Sequence, residues 1–253
     1  MSIVRILSGL VACFMLSLAG ANAAFAAWVY DANSEFKAFE LANNSGSFAP
    51  SFSNFTAGYS QTLGGFTAFE ATQHTDNWFS KPELQGWNFV NNFVVPAIVV
   101  NTSDSPVQLF NQVDPAQIVM HPGGTTSNAL ADPISNAVLR FTTTNAGIYS
   151  VTGDWEALDV GSTIKYVLVN GATLFSSSSD VSAFNLSNIS LANGDTIDFV
   201  VNSDGFIGSD TTGLRAIITG ISAVPEPTTL ALFGLGGIGL AGIAKRRRTR
   251  KVA

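Results

Sequence analysis

Asn170-Gly171 constrains this chain more than any other dipeptide. It follows Thr163–Val169, where alternation places Ile164, Tyr166 and Leu168 on one face, and it precedes Ala172–Phe175. Asn and Gly both tolerate positive φ, which the two central residues of a type I′ turn require, so a tight hairpin is predicted here. The neighbouring sequence repeats the pattern of short apolar runs divided by turn residues. Ala137–Phe141, Ile148–Leu158, Phe184–Leu191, Thr196–Val201 and Leu214–Ser222 are separated by stretches such as Thr144-Asn145-Ala146-Gly147 and Ala192-Asn193-Gly194-Asp195. Strands at this spacing predict an all-β fold, an antiparallel sandwich.

The first half is rich in Phe, Asn and Gly and reads less sharply. Trp28–Tyr30, Phe66–Ala71 and Phe93–Val100 are predicted strands, and Asp31–Leu41 is a candidate short helix. Ser105-Pro106 and Asp114-Pro115 mark loops within one domain, not a linker between two.

Both ends carry apolar segments of a different kind. Arg5 precedes an apolar stretch from Ile6 to Leu18, and Ala21-Asn22-Ala23 and Ala24-Phe25-Ala26 follow. This is the pattern of a secretory signal peptide over residues 1–26, implying export through the Sec machinery. Cys13 is the only cysteine and lies inside that segment, so the mature chain is expected to fold without disulfides.

At the other end stand Val224-Pro225-Glu226-Pro227, an apolar run from Leu230 to Ala244 with five glycines, and Lys245-Arg246-Arg247-Arg248. The two prolines hold their stretch extended and accessible. The apolar run is predicted as a transmembrane helix over 229–244. With Thr228 and Thr229 it spans roughly 25 Å at 1.5 Å per residue, slightly short of a bilayer core. The four cations act as a membrane stop and place the C-terminus in the cytoplasm.

These three parts in this order resemble the PEP-CTERM sorting signal, here residues 223–253. The resemblance implies recognition by an exosortase, cleavage near Pro225–Pro227, transient lodging in the inner membrane, and a final place at the cell surface or in an exopolysaccharide matrix. A permanent tail anchor is the alternative.

Residues 27–222 remain as one ectodomain. Of the twelve Lys and Arg, Arg5 and six tail residues lie outside it, as does one of the eighteen acids, Glu226. Five cations against seventeen acids leave it near −12. That charge argues against nucleic acid as a partner.

Catalytic chemistry is hard to place. The two histidines, His74 and His121, have no Gly-x-Ser-x-Gly elbow to serve. Asp154-Trp155-Glu156 sets two carboxylates on one strand face, the raw material of a glycosidase, but seventeen acids make such pairs inevitable. The chain therefore reads as non-enzymatic, with a carbohydrate-active enzyme as the alternative. Calcium is the one candidate cofactor. Asn202-Ser203-Asp204-Gly205 and Ser209-Asp210 bring hard oxygens onto turning backbone, with Asp204 and Asp210 as candidate ligands. Trp78, Trp87 and Trp155 are candidate glycan contacts, since sugars stack on exposed aromatic faces.

A second resemblance covers most of residues 28–222. It rests on Tyr30–Phe36, Tyr59–Gly65, His121-Pro122-Gly123-Gly124, Gly147–Gly153, Val169-Asn170-Gly171, Gly194–Phe199 and Asp210–Leu214. These are similar to a family of secreted, carbohydrate-binding-module-like β-sandwich domains of jelly-roll type. The resemblance implies the fold and transfers no catalytic residue. The whole reads as an exported structural or adhesive protein with weak glycan affinity. A permanently membrane-anchored binding protein is the other alternative.

Overall fold

A computed structural model describes residues 25–43, 46–89, 95–123, 135–205 and 208–223. The expected signal peptide, transmembrane helix and membrane stop, with Val224, Pro225, Glu226 and Pro227, lie outside these residues. The chain divides into two units. One is Trp28–Gly220, which carries the sheets. The other is formed by residues 1–27 and 221–253, of which 25–27 and 221–223 are described.

The first half contains β1 (Phe25–Asp31), α1 (Ala32–Asn43), β2 (Ser51–Phe52), β3 (Phe55–Ser60), β4 (Thr67–Ala68), β5 (His74–Thr75), β6 (Leu84–Asn88), β7 (Ala97–Asn101), β8 (Val107–Gln108), β9 (Gln112–Val113) and β10 (Ile118–His121). The second half holds β11 (Asn136–Thr142), β12 (Gly147–Ala157), β13 (Thr163–Val169), β14 (Ala172–Ser177), β15 (Val181–Leu191), β16 (Thr196–Ser203) and β17 (Thr212–Ala223). One sheet runs β15-β12-β17-β10-β7-β6-β5, with β1 also pairing β17. The other runs β14-β13-β16-β11-β3-β2, with β4 on β3. β8 and β9 form a separate hairpin. The predicted antiparallel sandwich is the fold observed.

The core lies between the two sheets. Val151, Trp155, Leu214 and Ile218 come from the first sheet and meet Leu139, Phe141 and Phe199 of the second. Directly paired residues share a face, so Val167 opposite Phe199 and Leu139 opposite Phe199 build one apolar layer. Asn170 and Gly171 both have positive φ, 49° and 79°, as the type I′ turn requires.

In β13 Ile164, Tyr166 and Leu168 share one face, as their alternation predicts, and that face is turned away from the sandwich core. Tyr166 and Leu168 pack with Val138 and Val200 on the other side of the sheet. The core-side positions are Thr163, Lys165 and Val167, and Lys165 is buried with Nζ donating to Ser179 O at 2.8 Å. The predicted strand Phe66–Ala71 shrinks to Thr67–Ala68. Ala71–Gln73 coils into a 3₁₀ turn, with the Glu70 N–H donating to Gln73 Oε1. Of Phe93–Val100, residues 93 and 94 lie outside the described residues, and the strand observed begins at Ala97.

β7 and β10 are buried at every position. A second apolar cluster explains this. Trp78, Leu84, Val107, Val113 and Leu158 cover the far side of the first sheet over Val99 and Val119. Strands covered on both faces read as continuous apolar runs, as Ala-Ile-Val-Val and Ile-Val-Met do here.

The candidate helix is real. Asp31 Oδ1 accepts the N–H groups of Asn33 and Ser34, each at 3.1 Å, satisfying donors that the first turn leaves free.

Candidate functional site

The three candidate glycan-contact tryptophans are buried: Trp78 is 1% exposed, Trp87 and Trp155 0%. This corrects the sequence expectation, because a sugar platform needs an open ring face. Trp78 packs edge-on to Phe79 and His121. Trp87 stacks on Phe36 and donates Nε1–H to Phe48 O at 3.0 Å. Trp155 lies against Phe184 and Phe199. In each case the apolar area of the indole outweighed the polar residues that flank it in sequence.

Two polar places stand out instead. The first is a groove of about 290 Å³ on the first sheet, lined by Asp31, Asn33, Gln117, Thr152, Asp154 and Arg215 among others. Its floor is tied down by Asn33, whose Nδ2 donates to Leu214 O at 2.7 Å and Ala116 O at 3.1 Å while Oδ1 accepts the Ala216 N–H. Odd-numbered residues of β17 around 215 point away from the core. Arg215 therefore reaches Asp114 Oδ2 at 2.6 Å, Asp154 Oδ1 at 3.0 Å and Glu156 Oε2 at 3.5 Å. Partial burial disfavours the guanidinium charge, but Asp154, Asp114 and Glu156 outweigh it and hold the Arg215 pKa above its usual value. Gln117 Nε2 donates to Glu156 Oε2 at 2.9 Å. The carboxylate pair noticed at Asp154 and Glu156 is thus engaged by one arginine. Chemically the groove offers planar donors and acceptors suited to hydroxyl-rich ligands.

The second place lies where the β12–β13 and β16–β17 connections meet. Gly161 N donates to Ser209 O at 2.7 Å, Leu158 N to Thr211 O at 2.9 Å, and Asp204 N to Ser162 O at 3.3 Å. The approach needs a glycine, since a Cβ at 161 would fall 2.1 Å from Ser209 O and 2.5 Å from Asp210 Oδ1. Asp210, 1% exposed, makes no hydrogen bond through either carboxylate oxygen. Asp159, 8% exposed, accepts the Val160 N–H through Oδ1, and its Oδ2 has no partner. Burial pushes the Asp210 carboxyl up to about 7. The Ser203 hydroxyl beside it opposes the rise, and the charges of Asp159 and Asp204 add to it. Burial likewise pushes His121, near Asp159, down to about 4, so its ring is neutral at pH 7.

Of the two candidate calcium ligands, Asp210 belongs to this cluster, whereas Asp204 is exposed at its rim and accepts from Ser162 Oγ at 3.1 Å. Asp195 and Asp198 are engaged elsewhere, in their own turn and with Arg140. Asp159 escaped the sequence reading. Its only signal was an acid two residues before Gly161. Among the described residues no three His, Cys, Asp or Glu side chains gather closely enough to hold a metal by themselves. No helix among the described residues is long and apolar enough to cross a membrane.

Residues 223–248 match the PEP-CTERM protein-sorting motif. The chain carries this sorting signal, which implies export, recognition by an exosortase and sorting to the cell surface. No functionally curated protein matches the chain. Solved structures that share part of the fold include three of note. The M60 catalytic domain with CBM51 domains from Clostridium perfringens ZmpB is 16% identical over 51% of this chain and 14% of that one, TM-score 0.34. The carbohydrate-binding module CBM36 in complex with calcium and xylotriose is 16% identical over 46% and 87%, TM-score 0.26. GITRL from bushbaby is 15% identical over 35% and 72%, TM-score 0.25. At such similarity no ligand or activity passes from them to this chain.

Proposed function

We propose that this protein is a non-enzymatic component of the cell surface or exopolysaccharide matrix, delivered and processed through its C-terminal signal. The observation that carries the reading is the sorting motif at 223–248, with its proline-containing Val224–Pro227 stretch followed by an apolar segment and four cations. An exosortase cuts near Pro225–Pro227 after export, and the sandwich is released from the membrane as a structural or adhesive element. The acidic, cysteine-free domain suits that role, because its stability rests on an apolar core rather than on redox state. Weak glycan contact is assigned to the Arg215 groove, where Gln117, Thr152, Asp154 and Arg215 present hydrogen-bonding groups within one concavity.

Intact-mass spectrometry of the exported chain tests the processing. The expected species ends near Pro225–Pro227, and the Pro225→Ala/Pro227→Ala variant stays unprocessed in the membrane fraction. A surface-exposed chain that retains Lys245–Arg248 would overturn the reading in favour of a permanent anchor. For the groove, Arg215→Ala is expected to lower retention on the host polysaccharide several-fold, and equal retention would remove glycan contact from this site.

A further inference from the structure

Two carboxylates buried side by side need compensation, since burying an isolated charge costs several kcal/mol. None of the ion pairs among the described residues involves Asp159 or Asp210. Backbone donors reach only Asp159 Oδ1, and the other three carboxylate oxygens of the pair are without a partner. The Ser203 hydroxyl at the end of β16, beside Asp210, is buried as well and has no other partner. Orphaned buried polar atoms are rare in folded proteins, and here three carboxylate oxygens share one place with that hydroxyl. All are hard donors without sulfur or nitrogen, the chemistry that selects calcium over zinc or copper.

From this convergence we infer that the Asp159 and Asp210 carboxylates, assisted by the Ser203 hydroxyl, hold a calcium ion that clamps the β12–β13 connection to the β16–β17 connection. The remaining coordination is completed by water and backbone carbonyls, as calcium's need for six to eight oxygens allows. Two carboxylates place the affinity in the range of extracellular modules, about 0.1–1 mM. The site stands apart from the Arg215 groove and from the sorting signal, so it does not depend on the proposed function.

The test uses the full-length chain purified in detergent and stripped with a chelator. Titration with calcium chloride, followed by thermal unfolding and calorimetry, is expected to show saturable binding and a rise in Tm of about 5 °C at 10 mM calcium. Asp210→Asn and Asp159→Asn are each expected to abolish both. Asp210→Asn removes a buried unpaired charge and so folds without the ion; its melting curve should be the same with chelator or calcium. Coincident curves for the stripped and calcium-loaded wild type would overturn the inference. So would a calcium shift that survives in both variants.

Discussion

Glu40 Oε2 lies 2.8 Å from His74 Nε2, and both side chains are almost wholly withdrawn from solvent. The contact fastens α1 to β5, the last strand of the first sheet, and the rings of Phe48 and Trp87 close around the imidazole. A histidine beside Thr75 and Asp76 could have belonged to a nucleophilic site. Its partner is instead a helix carboxylate from 34 residues earlier. Removing one member strands the other. His74→Leu and Glu40→Leu are each expected to destabilise the protein by about 3 kcal/mol. The His74→Leu/Glu40→Leu double variant should recover most of that loss. Urea unfolding of the four-member cycle measures the coupling, and strictly additive losses would refute it.

Trp87 and Trp155 are equally buried but differ at the indole nitrogen. Trp87 donates to Phe48 O, whereas Trp155 Nε1 has no partner. Replacement by phenylalanine removes similar volume at both positions, but only at 87 does it orphan a carbonyl. Trp87→Phe is expected to cost about 3 kcal/mol, and Trp155→Phe about 1 kcal/mol less. Chemical denaturation compares them. A larger loss at 155 would contradict this account.

The folded-state pKa of His121 is depressed to about 4 from an ordinary 6.5. Between those values the unfolded chain binds a proton that the folded protein does not. The stabilisation from neutral His121 is complete above pH 6.5 and is lost as pH falls through that window towards 4. The full span corresponds to about 3 kcal/mol. His121→Gln should flatten the decline between pH 7 and 4.5 in thermal melts. Parallel pH profiles for wild type and variant would rule this out.

Arg215 is the common counterion of Asp114, Asp154 and Glu156. Arg215→Met leaves three like charges facing one another in a partly exposed groove. The expected loss is about 1 kcal/mol at low salt, because exposed pairs contribute little. It should shrink at 0.5 M sodium chloride, where repulsion is screened over about 4 Å. Melting temperatures across a salt series check this; a penalty indifferent to salt would point to lost packing alone.

Much of the sheet architecture was legible because its signals are local. The Asn170-Gly171 turn carries its backbone requirement in the two residues themselves, and the strands around it alternate over a few positions. The strands buried on both faces were harder. Ala97–Asn101 is apolar on both faces because Ile98 and Val100 join the core between the sheets, while Trp78, Val107, Val113 and Leu158 cover Ala97 and Val99 from distant parts of the chain. The tryptophans misled for the same reason. Asp76-Asn77-Trp78 is polar in sequence, yet Trp78 fills a gap over the sheet that residues 84, 107, 113 and 158 help to form. Lys165 was unreadable as a buried cation until β13 had a partner on each side and Ser179 O lay within reach.

The functional features divide along the same line. The sorting signal is a linear message of prolines, an apolar run and cations, so residues 223–248 carry it in their sequence. Turn chemistry and the absence of helical periodicity likewise determine an antiparallel β-protein. The Asp159–Asp210 cluster and the Arg215 groove are different. Each joins residues more than fifty positions apart: burial withdraws water from Asp159 and Asp210, while the sheet brings Arg215 of β17 against Asp154 and Glu156 of β12. Only the tertiary structure could decide which of seventeen acids lost their solvent and which found an arginine.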